Sequence, residues 1–217
     1  MPDFYEYLPQ GALLGAIDQD QSRDDLRFVF RHCNKKHKIL DVACGEGRHL
    51  IPLRARNYAV EGVDSSKNLL RHAKAIARKK GIKISVRLGT MERLPYPDKC
   101  FDRVFCMWSS FNHLLQKEMQ VRALREFVRV LRPKGRAFLD LAYLPFVASQ
   151  GNVVYGKDKH IVQSGVYKGK VLWLYLHDER SVASLMKSAK IANFKSYTRI
   201  FGSSRRLIVS LQPAKNL

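Results

Sequence analysis

The sequence predicts an α/β fold in which a mostly parallel sheet lies between two layers of helices. Three observations predict it. Short apolar runs alternate with amphipathic stretches from residue 38 to residue 142. The first run, "KILDVA", leads directly into a glycine-containing turn, "CGEG". The 217 residues suffice for one domain, 1–217, with a full core. Strands that alternate with helices pair in parallel and need cover on both faces.

The elements follow in order. "KILDVA" (38–43) reads as a short buried strand and "GRHLIPLRAR" (47–56) as the start of a helix. "YAVEGVD" (58–64) is a second strand. Residues 66–81 form a helix with Leu69, Leu70, Ala73, Ile76 and Ala77 on one face, ended by Gly81. Residues 83–89 and 101–108 are the third and fourth strands. Residues 117–133 form an amphipathic helix stopped by Pro133 and Gly135, and 135–142 is a fifth strand. Residues 160–178 depart from the rhythm and read as a hairpin turning near Lys168-Gly169. A helix (179–194) and two closing strands complete the chain.

Composition is that of a globular protein, with 39 Lys+Arg against 19 Asp+Glu and a formal net charge of +20. The excess clusters: residues 71–87 hold seven basic residues and no acid, as do residues 181–217. Such a field attracts anions, whether RNA or phosphorylated metabolites, and it is equally a solvated helix face. No apolar run approaches the roughly 20 residues that cross a bilayer. The N-terminus lacks the pattern of a secretion signal. Cys33, Cys44, Cys100 and Cys106 match no zinc or redox spacing. They read as free thiols, so a cytoplasmic protein without a metal is expected. Nothing in the sequence specifies an oligomeric state.

In an open α/β sheet, ligands bind beyond the carboxyl ends of the strands. Gly45 and Gly47 follow the first strand there, beside the small Ala43 and Cys44. Glycine permits positive φ and lets a ligand approach the backbone. Asp64 ends the second strand, 17 residues after Gly47, where a carboxylate can accept from a ribose diol. A glycine turn plus that acid points to a nucleoside ligand, although Asp64 also suits capping of the helix at 66. The third glycine of the dinucleotide fingerprint is missing, and no Walker lysine follows.

The run from Asp41 through Ala43, Gly45 and Gly47 resembles motif I of the class I S-adenosylmethionine-dependent methyltransferases, with alanine replacing the first glycine. "VEGVDSSKNLL" resembles the family's second motif, "LGTMERLPYPDKCFDRVF" its third segment and "LREFVRVLRPKGRAFLDLA" the helix and turn before strand five. The resemblance implies a Rossmann-like three-layer sandwich with seven strands, the last antiparallel, and a hairpin inserted after strand five. It implies S-adenosyl-L-methionine as cofactor and S-adenosyl-L-homocysteine as product. Asp41, Ala43, Cys44, Gly45 and Gly47 are then expected at the cofactor, with Asp64 and Ser65 at the ribose. Thr90, Met91 and Glu92 are expected at the adenine and Cys106 beside it. As a nucleophile Cys106 lacks the Pro-Cys or Thr-Cys pair of pyrimidine C5 enzymes and reads as a core filler.

The segment after strand four faces the methyl group in that family. Trp108, Phe111 and Asn112 are expected in the acceptor pocket, with His113 as the candidate base because its ordinary pKa lies near 6.5. Residues 1–30 are expected to form a helical lid bringing Tyr5 and Tyr7 to the cofactor or substrate. Residues 150–178 are expected to cover the substrate, made positive by Lys157, Lys159, His160, Lys168 and Lys170. The first reading is a methyltransferase for a small, anionic molecule with an N or O acceptor. The alternative is an RNA (tRNA or rRNA) methyltransferase using the basic surface. A non-enzymatic cofactor-binding subunit is a third class.

Overall fold

The structure is a computed structural model that describes residues 4–15, 19–151 and 153–214. A seven-stranded sheet runs in the order β3-β2-β1-β4-β5-β9-β8. Its strands are β1 (Lys38–Val42), β2 (Ala59–Asp64), β3 (Val86–Leu88), β4 (Phe101–Cys106), β5 (Leu131–Ala142), β8 (Phe194–Phe201) and β9 (Ser204–Leu211). The first five are parallel, and β9 is antiparallel to both β5 and β8. The remaining strands, β6 (Ile161–Tyr167) and β7 (Lys170–Tyr175), form a separate hairpin. Lys168 (φ 48°) and Gly169 (φ 73°) make its turn, both left-handed as a two-residue hairpin requires.

Strand alternation sorts the core into two clusters. Leu40, Val104, Cys106, Leu139 and Val209 point to one face, where they meet Leu124 and Phe127 of α5 (Lys117–Val130) and Leu185 of α7 (Glu179–Ala189). Ile39, Phe105, Phe138 and Ile208 point to the other. There they meet Phe28 of α2 (Gln19–His32), Leu53 of α3 (Leu50–Ala55) and Leu70 of α4 (Lys67–Lys79). Asp41, Asp140 and Arg206 share the phase of this second set, which places three charged residues under the α2–α3 layer.

Several boundaries differ from expectation for identifiable reasons. The 19–30 part of the expected lid belongs to α2, whose Phe28 and Val29 are fully buried against the sheet. Residues 1–3 and 16–18 of that segment lie outside the described residues, leaving residues 4–15 over the cavity. Helix α5 ends at Val130 rather than near Pro133, because Leu131 turns extended (ψ 135°). Arg132 precedes a proline, which disfavours helical backbone, so β5 begins earlier and absorbs Pro133 in a register shift. Strand β4 ends two residues before the expected 108, because Trp108 (φ 57°) and Ser109 (φ 54°) swing the chain into a 3-10 turn at Ser110–His113. Helix α7 ends at Ala189, short of 194, where Lys190 takes a left-handed cap.

Gly62 in β2 meets a close-approach constraint. A Cβ there would lie 2.8 Å from Cys44 Sγ and 3.0 Å from Leu50 Cδ2. Overpacking of this kind costs about 1–3 kcal/mol. Gly62→Ala is expected to lower the melting temperature by several degrees. Gly165→Ala, where a Cβ meets nothing within 4 Å, should leave it nearly unchanged. A Gly62→Ala melt matching wild type would disprove the close approach.

Candidate active site

A cavity of about 520 Å³ opens at the carboxyl ends of β1, β2 and β4. Its floor is the loop after β1. Ala43 (φ 55°), Gly45 (φ 51°) and Gly47 (φ 88°) all take left-handed backbone. Alanine at the first position therefore carries the roughly 1–2 kcal/mol strain of that conformation. Gly47 lies outside the cavity wall. A Cβ there would stand 2.9 Å from Ile51, so this glycine shapes the turn rather than the surface.

Asp64 anchors the loop. Its Oδ2 accepts from the Gly45 amide at 2.8 Å and its Oδ1 from the Ser66 amide at 2.9 Å. Ser66, not Asp64, is the cap of α4, its hydroxyl accepting from Leu69 N at 3.1 Å. Burial raises the Asp64 pKa above the ordinary carboxylate value despite these hydrogen bonds. The Ser65 amide also acts on this carboxylate, which with about four lone-pair sites keeps at least one beyond its backbone bonds. Asp41, Ala43, Cys44, Ser65, Thr90, Met91 and Glu92 line the same wall. Cys106 does not. It is fully buried on the core face of β4, its Sγ 4.0 Å from Met91 Sδ.

The cover comes from the N-terminus and the hairpin. Tyr5, Leu8 and Leu13 line the cavity from one side, and Ser164, Gly165, Leu172 and Leu174 from the other. The hairpin's inner face is thus mostly apolar. Lys157, Lys159, Lys168 and Lys170 are exposed and lie outside the cavity wall, and His160 stacks on Tyr175 at 5.3 Å, so the expected positive cover does not form. Glu46, which the sequence reading passed over, fastens the lid. Its carboxylate accepts from the amides of Gly11 (2.6 Å), Leu13 (3.2 Å) and Leu14 (3.4 Å), beside His72 Nδ1 at 3.3 Å. Asn68 Nδ2 adds bonds to the carbonyls of Tyr5 and Leu8.

The residues after β4 divide. Trp108 and His113 line the cavity. Phe111 and Asn112 do not. Phe111 packs on Phe127, and Asn112 ties the end of β5 to β7 by accepting from Ala142 N and donating to the Tyr175 carbonyl. Tyr7 is 53 % exposed and also lies outside the wall. The Tyr5 hydroxyl and His113 Nε2 are hydrogen-bonded at 2.8 Å. Burial pushes His113 down to about 4 and raises Tyr5 above its ordinary value, so the pair is neutral at neutral pH.

A buried ionic cluster flanks the cavity. Arg48 Nη1 lies 2.7 Å from Asp25 Oδ2, and Arg206 Nη1 lies 3.2 Å from Asp25 Oδ1 and also bonds Asp140. Burial outweighs the arginines and pushes Asp25 up to about 6. Asp41 is pushed up to about 7 by burial, against the pull of Arg48. His49 is held neutral by burial. A lone charge inside an apolar strand, such as Asp140 in "FLDLA", was the available sequence signal for this cluster. Among the described residues, no group of three or more His, Cys, Asp or Glu side chains is placed to hold a metal. Nor is any helix long and apolar enough to cross a membrane.

Residues 39–135 match the family described as methyltransferase domain. Over that stretch the chain is similar to a methyltransferase domain. Among curated proteins, it is 32 % identical over 125 residues to the uncharacterized methyltransferase YcgJ of Bacillus subtilis, covering 56 % of this chain and 48 % of that one. It is 30 % identical over 154 residues to the dTDP-3-amino-3,6-dideoxy-alpha-D-glucopyranose N,N-dimethyltransferase of Streptomyces fradiae, covering 71 % and 58 %. The chain spans about half the length of the curated relatives it matches. Among solved structures, the PH0226 protein of Pyrococcus horikoshii superposes with a TM-score of 0.75 at 22 % identity, covering 99 % of this chain and 100 % of that one. That likeness establishes the fold of the domain over its whole length.

Hydrogen bonds to a charged acceptor contribute about 1.5–3 kcal/mol each. Glu46→Ala is expected to speed hydrogen exchange of the 11–14 amides by roughly tenfold or more, with the central strands unaffected. Unchanged exchange in this segment would remove Glu46 as the lid fastener.

Proposed function

We propose that this protein transfers a methyl group from S-adenosylmethionine to a small anionic molecule at an N or O atom. The observation that carries the reading is the cavity itself. It joins a left-handed glycine loop, a buried carboxylate at the end of β2 and a fastened lid. These residues fit the cofactor. The lone pair that Asp64 keeps suits a ribose hydroxyl, the Gly45 loop permits close backbone approach, and Ser65, Thr90, Met91 and Glu92 offer a wall for adenine. When bound, the cofactor supplies a methyl group already activated on a sulfonium.

The protein's own work is then placement and dehydration. The lid residues Tyr5, Leu8 and Leu13 exclude water. Trp108 gives the acceptor an apolar surface. The Tyr5 hydroxyl accepts a hydrogen bond from the acceptor while His113 Nε2 receives the tyrosyl proton's hydrogen bond, and the low pKa of His113 keeps that lone pair free at neutral pH. The pairing exists only with the lid closed, because Tyr5 belongs to it. The Streptomyces fradiae relative is named for a sugar nucleotide amine, which supports an acceptor of this size.

The second reading, an RNA substrate, rests on a groove lined by Lys67, Arg71, Lys74 and Arg78 of α4 with Leu88. The groove lies between α4 and the edge strand β3 and shares no lining residue with the cavity. A salt titration separates the readings, since RNA binding falls steeply with salt and small-molecule binding does not.

Asp64→Ala is expected to weaken S-adenosylhomocysteine binding at least tenfold, about 1.4 kcal/mol, by calorimetry. An unchanged dissociation constant would take Asp64 out of the site. Asp41, pushed up to about 7, is partly protonated at neutral pH. A cationic ligand favours its charged form, so S-adenosylmethionine binding at pH 7 should release roughly half a proton. The readout is a binding enthalpy that varies with buffer ionisation in wild type and not in Asp41→Asn.

A further inference from the structure

Arg48 and Arg206 both line the cavity, at the end opposite Asp64. Arg206 opens β9, paired with Ala142 at the end of β5. In the sheet order β2-β1-β4-β5-β9, Asp64 and Arg206 are four strand positions apart, about 19 Å at roughly 4.8 Å per step. A ligand anchored by its ribose at Asp64 and reaching toward β4 leaves the β5–β9 end for the acceptor.

The arginines at that end have spare donors. Each uses Nη1 on an aspartate, and the Nη2 of each is buried without a hydrogen-bond partner among the described residues. The Arg206 side chain is 3 % exposed and that of Arg48 is 10 %. A buried donor without an acceptor is unfavourable, which calls for an explanation beyond a salt-bridge staple. Both guanidiniums flank one carboxylate, Asp25, so their free edges belong to one locality. The Arg48 guanidinium lies 4.8 Å from the centre of the Trp108 ring, which fixes the plane of its fork. Asp140 holds the Ser109 amide at 2.5 Å and so sets the turn that carries Trp108.

The charge count selects the ligand. Two arginines face Asp25 and Asp140, so these four groups are neutral when all are charged, and Asp41 beside Arg48 adds a further negative charge when it is ionised. The cluster tolerates one added negative charge far better than two. A guanidinium fork matches a planar carboxylate. We propose that Arg48 and Arg206 bind a carboxylate of the methyl acceptor, so that the substrates are small carboxylic acids held at the β5–β9 end of the cavity. The inference rests on the methyl-transfer reading above. The other source of the same chemistry is the cofactor's own carboxylate.

The test uses the full chain with methyl-labelled S-adenosylmethionine and a deproteinised, RNase-treated cell extract. One portion of the extract has its carboxylates amidated with carbodiimide and ethanolamine. Label transfer to small molecules is expected to fall at least tenfold after amidation. Arg48→Gln is expected to lower transfer from untreated extract at least tenfold while binding S-adenosylhomocysteine within twofold of wild type, which also reports that the variant is folded. Arg48→Lys, which keeps the charge and loses the fork, should fall between. Label unchanged by amidation overturns the carboxylate proposal and leaves the methyltransferase reading standing. Cofactor binding weakened tenfold in Arg48→Gln, with the wild-type melting curve retained, also overturns it by assigning the arginine to the cofactor's carboxylate. Wild type that does not bind S-adenosylhomocysteine removes the underlying reading and the proposal with it.

Discussion

The hydrogen bond from the Gly45 amide to Asp64 Oδ2 joins the end of β1 to the end of β2, and the cavity depends on it. Three left-handed residues in five would otherwise leave the loop free to open. Asp64 fixes the loop from one side, and Gly62 admits Cys44 from below. One carboxylate thus shapes the loop and still presents a lone pair to the cavity. The loop's own acid, Glu46, is buried beneath residues 11–14 and fastens the lid over the cavity. The loop that receives the ligand is also the one that holds the cover.

The opposite end of the cavity is built on charge. Asp25 and Asp140 are fully buried, and both depend on Arg206. A buried pair gives little net stability over apolar packing, but removal of one partner leaves a stranded charge. The cluster therefore fixes α2, the loop before α3, β5 and β9 relative to one another more than it strengthens any one contact. Cavity side chains stand on elements whose positions it sets, Trp108 among them.

The sequence revealed what is local. Alternating strands and helices gave the sheet, and the Asp41–Gly47 run with Asp64 gave the floor of the cavity, because both signals sit within a few residues of chain. Strand phase explains what failed. Cys106 falls on the core face of β4, and the two left-handed residues after it rotate Phe111 and Asn112 away from the cavity while leaving Trp108 and His113 in it. Glu46, Arg48 and Arg206 went unread because each acquires its meaning from a partner far along the chain. For Arg206 those partners are Asp25 and Asp140. The hairpin was placed correctly, yet its lysines lie outside the cavity wall: Lys157 and Lys159 precede β6, Lys168 is in the turn and Lys170 is at the tip of β7, whereas Leu172 and Leu174 further along the strand line the cavity.

The Asp25–Arg206 pair also bears on the order of assembly. It spans 181 residues of chain, from 25 to 206. During synthesis α2 emerges early, and its Asp25 can meet Arg48 in the loop after β1, but its second arginine arrives only with β9. The helix can already pack Phe28 against Phe105 and Phe138 of the parallel strands, while its ionic contact with Arg206 remains unmade. Its final seating and the closing of the Asp25–Arg206–Asp140 cluster then coincide with the pairing of β9. A nascent chain stalled before residue 204 should therefore leave α2 more open to protease than one stalled after β9 clears the ribosome.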